Sequence, residues 1–266
     1  MKKNTRIRCP ICGNYEIATQ DHVPPKCCDN KGKRIIHYFY TKQRGIPAKK
    51  ETQKGVHYDY ICSNCNNGIL GSNYDIELKK FYDSVVESDA LIVNWIGDVS
   101  KICKCIFGHM LATNKYSSSV WDKEMRKYVL NDITPNSISL YLFYYPYDAI
   151  FTIKHAVPIS IFNSYGRKNY DFPNNSMVDC LYFYPFAFIV TEKNTLSRGV
   201  DLIKLIQNNE SSIELKKDGW IDAEDNKLLP PCWPCMISEA KEDNTVDAIV
   251  GGGDLDSFNI SFLKKG

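Results

Sequence analysis

Cys9-Pro10-Ile11-Cys12 and Cys62-Ser63-Asn64-Cys65 are two Cys-x-x-Cys knuckles separated by 49 residues. Each presents two sulfurs, and together they make a four-thiolate tetrahedral site for zinc, with metal–sulfur bonds of about 2.3 Å. The separation is longer than in a simple zinc ribbon and leaves room for a functional insertion. Ten residues past the first knuckle stands Asp21-His22-Val23-Pro24-Pro25-Lys26. It puts an acid and an imidazole side by side at the end of a short strand, ahead of prolines that force extended backbone. The second knuckle runs directly into Asn66-Asn67-Gly68, so amides come where a helix should begin.

These three elements, in this order, resemble the zinc-bound HNH (His-Me finger) nuclease family. There, Cys-x-x-Cys is followed by Asp/Glu-His-Val-x-Pro and then by a second Cys-x-x-Cys with Asn or His. The resemblance covers roughly residues 7–80 and implies a treble-clef-like ββα-metal fold. It also implies roles. His22 corresponds to the histidine that activates water, and Asp21 to the acidic ligand of the catalytic metal. Asn66 corresponds to a further metal ligand on the helix, with Asn67 as the fallback. The family's middle asparagine, which orients the base, has no clean match. His57 is nearest by its distance from the second knuckle, and Tyr58 is next.

Hydrolysis of a phosphodiester needs a nucleophile made from water near neutral pH, and a neutral imidazole can take that proton. A hard cation such as Mg²⁺ or Mn²⁺ prefers oxygen ligands, which Asp21 and an Asn66 amide oxygen would supply. Two metals with separate tasks are therefore expected: structural zinc on Cys9, Cys12, Cys62 and Cys65, and a catalytic Mg²⁺ or Mn²⁺ at Asp21 and Asn66.

The elements that must hold these residues are legible in outline. Tyr15 to Thr19 reads as a strand, and Val56 to Ile61 as another entering the second knuckle. Residues 26–55 read as a long loop with at most short strands, such as Ile35 to Tyr40. Ile76, Leu78, Phe81, Tyr82, Val85 and Val86 fall at helical spacing. Helical patterns follow over Leu91 to Thr113 and Val120 to Leu130. Strand formers then dominate: Leu140 to Tyr145, Ala149 to Ile153, Val157 to Ile161 and Cys180 to Thr191. Val200 to Gln207 suits a strand or a short helix, and Val250 to Asp254 a flexible loop. The expected class is α+β: a zinc-stapled ββα-metal domain over 1–88, then a mixed helix and antiparallel-sheet domain over 89–266.

Composition narrows the partners. The chain has 266 residues, 44% of them hydrophobic, and no run of about 18 apolar residues that would span a membrane. The basic segment Met1 to Arg6 lacks the apolar stretch of a signal peptide, so a cytoplasmic location is expected. Eleven cysteines there argue for reduced thiols rather than a disulfide framework. Residues 1–85 carry 15 Lys/Arg against 8 Asp/Glu, a net of +7, while 86–266 carry 18 against 23, a net of −5. A basic module is the footprint of a polyanion binder. Lys26, Lys31, Lys33, Arg34, Lys42, Arg44, Lys49 and Lys50, interleaved with Tyr38, Phe39 and Tyr40, read as a phosphate-contacting arm.

The expected function is metal-dependent endonucleolytic cleavage of nucleic acid, double-stranded DNA first, in a bacterial or phage defence setting. The C-terminal part would serve regulation, target choice or assembly, as a homodimer or with a partner subunit. The alternatives are a zinc-finger module that binds nucleic acid without cutting it and an interaction protein with a purely structural knuckle. Cys232-Trp233-Pro234-Cys235 lacks the context of a redox motif. A second metal site would need it to join Cys180 with Cys103 or Cys105. His37, His109 and His155 read as structural, the latter two in apolar surroundings. Gly251-Gly252-Gly253 lacks a phosphate-loop context.

Overall fold

The computed structural model describes residues 6–38, 49–114, 119–145, 150–158, 177–196, 199–217 and 246–252. In chain order these form β1 (Arg6–Arg8), β2 (Tyr15–His22), a 3-10 turn (Lys26–Cys28), β3 (Arg34–Tyr38), β4 (Lys49–Thr52) and β5 (His57–Cys62). A wide, π-type helical stretch (Asn64–Tyr74) then runs into α1 (Asp75–Val86). Next come β6 (Ile92–Ile96), α2 (Val99–Ala112), α3 (Val120–Asn131), β7 (Ile138–Tyr144), β8 (Ile150–Pro158), β9 (Met177–Phe183) and β10 (Phe186–Glu192). The last are β11 (Val200–Asp201), α4 (Leu202–Gln207), β12 (Ser212–Lys216) and β13 (Val246–Gly252).

The fold is mixed α+β. β1, β2 and β5 make a small antiparallel sheet beside the knuckles, and β6 pairs with β12. Eight strands form a larger sheet in the order β11-β7-β10-β9-β8-β13-β3-β4. Most of its pairs are antiparallel, but β13 runs parallel to both β8 and β3. The expected antiparallel sheet is in that respect mixed.

Sequence explains most of these elements. β7 is buried from Ile138 to Phe143, a run apolar except for Ser139 and of the kind covered on both faces. α2 is buried from Ile102 to Ala112, so it is a central helix rather than an amphipathic surface one. Gly108 lets α2 approach the π-type stretch: a Cβ there would lie 2.4 Å from Leu70 Cδ2. α3 begins with a capping box, in which the Ser119 hydroxyl accepts from Asp122 N and the Asp122 carboxylate from Ser119 N.

Several expectations are corrected. The helix expected from Leu91 starts only at Val99, because Ile92–Ile96 alternates buried and exposed residues and pairs with β12. Asp98 then caps the helix by accepting from Lys101 N. Residues 150–153 and 157–158 fall on one strand, β8, whose register slips between Lys154 and Val157, while residues 149 and 159–161 lie outside the described residues. Val200–Gln207 is a two-residue strand followed by a helix. Gly251 and Gly252 end β13 rather than forming a loop.

The expected boundary near residue 88 falls between α1 and β6, but the core does not divide there. Phe81 of α1 packs against Trp95 at 5.1 Å and stacks on Phe186 at 4.6 Å between ring centroids. Arg126 Nε of α3 donates to the Pro10 carbonyl in the first knuckle at 2.8 Å. β3 and β4, from the long insertion, join the large sheet through β13.

Candidate functional site

Cys9, Cys12, Cys62 and Cys65 come together, with their sulfurs all within 4.8 Å of one another. β1 and β2 bring the first knuckle to the end of β5, where the second begins. Cys12 Sγ and Cys62 Sγ are 3.7 Å apart. That matches the edge of a tetrahedron with about 2.3 Å metal–sulfur bonds, which is about 3.8 Å. Cys9, Cys62 and Cys65 are buried, so the set is closed to solvent on most sides. The neighbouring Cys65 sulfur lowers the Cys9 pKa to about 4 despite burial, and Cys9 in turn raises that of Cys65. The donor set can hold a metal ion such as zinc.

The register of β2 against β5 slips between Thr19 and Asp21. Such a bulge re-aims the side chains that follow it. Here it leaves Asp21 facing inward at 4% exposure, while His22 is half-buried at the strand end. Asn66 clamps this corner from the π-type stretch: its Nδ2 donates to the Gln20 carbonyl at 2.8 Å and to Thr19 Oγ1 at 3.2 Å. Asn66 thus reaches β2 just ahead of Asp21 and His22. Asn66 Oδ1 makes no hydrogen bond among the described residues. Asn67 is exposed, and its amide donates to Ser63 Oγ.

His22 Nε2 lies 2.9 Å from the carbonyl of Lys54. A carbonyl only accepts, so Nε2 carries the hydrogen and Nδ1 keeps its lone pair. Burial lowers the His22 pKa below the ordinary 6.5; the Lys54 carbonyl opposes this, while His57 and Lys26 add to it. The imidazole is therefore neutral near pH 7. His57, named from sequence as the orienting residue, pairs with His22 across the sheet and packs against it at 5.8 Å between centroids. Its Nδ1 is 3.2 Å from the Gly55 carbonyl rather than bonded to His22. Tyr58 pairs with Asp21 across the strands. The group that orients His22 is thus a backbone carbonyl.

The residue that holds this carbonyl was missed from sequence. Asn30 is fully buried: its Nδ2 donates to Pro24 O at 2.6 Å and Val56 O at 2.8 Å, and its Oδ1 accepts from Val56 N at 2.8 Å. It ties the chain just after His22 to the turn just after Lys54. Gly55 completes the lock with φ of +79°, and a Cβ there would lie 2.5 Å from the Asn30 carbonyl oxygen. Gly55→Ala is expected to lower stability by roughly 1–3 kcal/mol. It should also shift the Lys54 carbonyl away from His22. Urea denaturation measures the first effect, and an unchanged midpoint would show that the turn is not under this constraint.

Asp21 does not stand alone in the interior. Its Oδ2 is 3.0 Å from His109 Nδ1, and His109 Nε2 is 2.8 Å from Asp75 Oδ1. His109 is 1% exposed. The apolar surroundings expected for it are thus replaced by two carboxylates. Burial would lower its pKa, but Asp21 and Asp75 outweigh that and raise it well above the ordinary value. Asp21 Oδ1 makes no hydrogen bond among the described residues.

Of the expected basic arm, Lys26, Lys31 and Lys33 are exposed, with Lys31 3.3 Å from Asp29. Arg34, Tyr38, Lys49 and Lys50 lie on β3 and β4, while Phe39, Tyr40, Lys42 and Arg44 lie outside the described residues. His37 is on β3 and His155 on β8. Cys232 and Cys235 lie outside the described residues. Cys103, Cys105 and Cys180 are buried. No helix among the described residues is long and apolar enough to cross a membrane. Compared with protein-family models, curated proteins and solved structures, the chain matches none.

Proposed function

We propose that this protein is a metal-dependent endonuclease of the HNH type, with His22 as the general base that activates water for phosphodiester hydrolysis. The observation that carries this reading is the His22–Lys54 hydrogen bond, which leaves Nδ1 of a neutral imidazole as a proton acceptor at the end of β2. The four-cysteine set suits a structural zinc that holds β1, β2 and β5 to the start of the helix. Asp21 Oδ1 and Asn66 Oδ1 are oxygen donors of the kind Mg²⁺ or Mn²⁺ takes. A cation there would neutralise charge on the scissile phosphate and the leaving oxygen. Lys26, Lys31 and Lys33, exposed on the loop after His22, would meet the nucleic-acid backbone. Double-stranded DNA is the proposed substrate.

One observation favours a second reading, a nucleic-acid-binding module that does not cut. Asp21 is nearly inaccessible, and one of its oxygens is engaged by His109. Nicking of supercoiled plasmid with Mg²⁺ or Mn²⁺, run beside a DNA-retention assay, separates the two. The nuclease reading expects divalent-dependent nicking. Retention without nicking supports the second reading and overturns the first.

A pH profile tests the base itself. A lowered His22 pKa keeps the neutral form to lower pH. Activity at limiting substrate should therefore fall off only as pH drops through a value below 6.5. An acid limb centred above 6.5 would mean that another group is being titrated.

A further inference from the structure

Behind Asp21 lies a group of metal-ligating side chains distinct from the four cysteines. The ligand atoms of Asp75, Cys105 and His109 all lie within 4.8 Å of one another. Cys105 and His109 stand four residues apart on α2, so both project from one face of the helix. Asp75 is the first residue of α1, and Cys105 Sγ is 3.2 Å from its Oδ1. Two further thiols come from the 3-10 turn: Cys27 Sγ is 3.7 Å from the Asp75 backbone carbonyl, and Cys28 Sγ is 4.0 Å from Cys27 Sγ. Cys105, His109 and Cys28 are all at most 1% exposed.

A second, independent feature points to a cation. His109 Nδ1 is bonded to the Asp21 carboxylate, and Nε2 faces Asp75; with an ion bound in place of the Nε2 proton, Nδ1 would keep its hydrogen on Asp21 and Nε2 would present its lone pair on the side of Asp75 and Cys105. A carboxylate on the far nitrogen is the usual outer partner of a metal-bound imidazole, because it sets the tautomer and raises ligand basicity. The charge balance agrees. Two carboxylates and the Cys105 thiol converge on one imidazole, and carboxylates buried together are costly unless a positive charge compensates them, a role that the protonated ring fills and a bound cation would take over.

We infer that Asp75, Cys105 and His109, completed by a thiolate from Cys27 or Cys28, bind a second zinc ion. Mixed sulfur, imidazole and carboxylate donors suit zinc better than magnesium or calcium. The 2.8 Å and 3.2 Å contacts to Asp75 would open by about 0.5 Å around an ion with bonds of about 2.0–2.3 Å, a small adjustment. A closed, buried, four-ligand site is structural. It ties the 3-10 turn, α1 and α2 together and, through His109, sets the orientation of Asp21. None of its four ligands takes part in the nuclease reading, and only its outer partner Asp21 is shared with that reading.

Metal analysis of the purified full-length protein tests it. Two zinc ions per chain are expected. Cys105→Ser and His109→Gln should each lower the content to one, and Cys65→Ser should remove the other ion instead. Zinc-edge X-ray absorption on the wild type covers the case in which the variants fail to fold. Two sites predict an average shell of about three sulfurs and one nitrogen or oxygen per zinc. One zinc per chain in an all-sulfur shell overturns the inference. So does a folded Cys105→Ser protein that keeps both ions. A single zinc in a shell rich in nitrogen and oxygen would uphold this site and instead remove the four-cysteine one.

Discussion

His22→Ala is expected to lower plasmid cleavage by a factor on the order of 10²–10⁴ while leaving DNA retention nearly unchanged. The size follows from what the side chain does in this geometry. With Nε2 held by the Lys54 carbonyl, Nδ1 is the only site on the ring that can accept a proton. Alanine removes the acceptor, and water must then lose its proton unassisted. The structural cost should be small, because His22 is half-buried at a strand end and its neighbours Val23 and Pro24 supply the packing. His22→Gln sharpens the test. An amide can still donate to Lys54 but cannot act as a base near neutral pH, so it should restore the loop contact without restoring cleavage. Cleavage by His22→Ala at the wild-type rate would remove His22 from the mechanism. A variant that loses cleavage and DNA retention together would point to a folding role.

Cys65→Ser is expected to unfold the first small sheet. Structural zinc in small domains contributes on the order of 10–16 kcal/mol in apparent binding free energy. That is as large as the whole stability of an ordinary domain, about 5–15 kcal/mol. The elements held here are slight: β1 has three residues, and only β2 and β5 pair over any length. Beyond the sulfurs, Ile11 and Ile61 are among the few large apolar side chains buried beside the knuckles. Loss of one thiolate should release β1 and the first knuckle and, with them, the corner that Asn66 closes. Circular dichroism melting and limited proteolysis in the region before residue 63 would report it. A Cys65→Ser protein with an unchanged melting temperature and protease pattern would show that no metal binds there, or that the metal carries no folding energy.

The site was legible from sequence wherever its residues are close in the chain or carry a spacing set by chemistry. Two Cys-x-x-Cys pairs announce a shared four-sulfur cluster because each knuckle can present only two sulfurs. Asp21-His22 before two prolines announces a strand end, because proline forbids further pairing. Asn66 directly follows the second knuckle and so had to sit where the helix starts. Local patterning likewise marked β2, β5, α1 and α3 to within a few residues. It misassigned Ile92–Ile96, where a helical reading of apolar spacing competed with strand alternation and the partner strand lies more than a hundred residues away.

What only the tertiary structure decided are the contacts made across long stretches of chain. Asn30 looks like any polar loop residue; its importance lies in three backbone groups that come within reach only when β5 and the turn before it fold back. The Lys54 carbonyl that orients His22 has no sequence signature, since every residue carries one. His109 lies in an apolar helix, and sequence surrounds it with Phe107, Gly108, Met110 and Leu111. Burial of α2 is what drives it against Asp21 and Asp75, residues 88 and 34 positions away. Sequence alone could single out the four cysteines and His22. Only the folded chain determines which carbonyl fixes the His22 tautomer and which buried side chains stand behind Asp21. Those partners are brought together by burial of apolar surface, which depends on the whole core rather than on any local pattern.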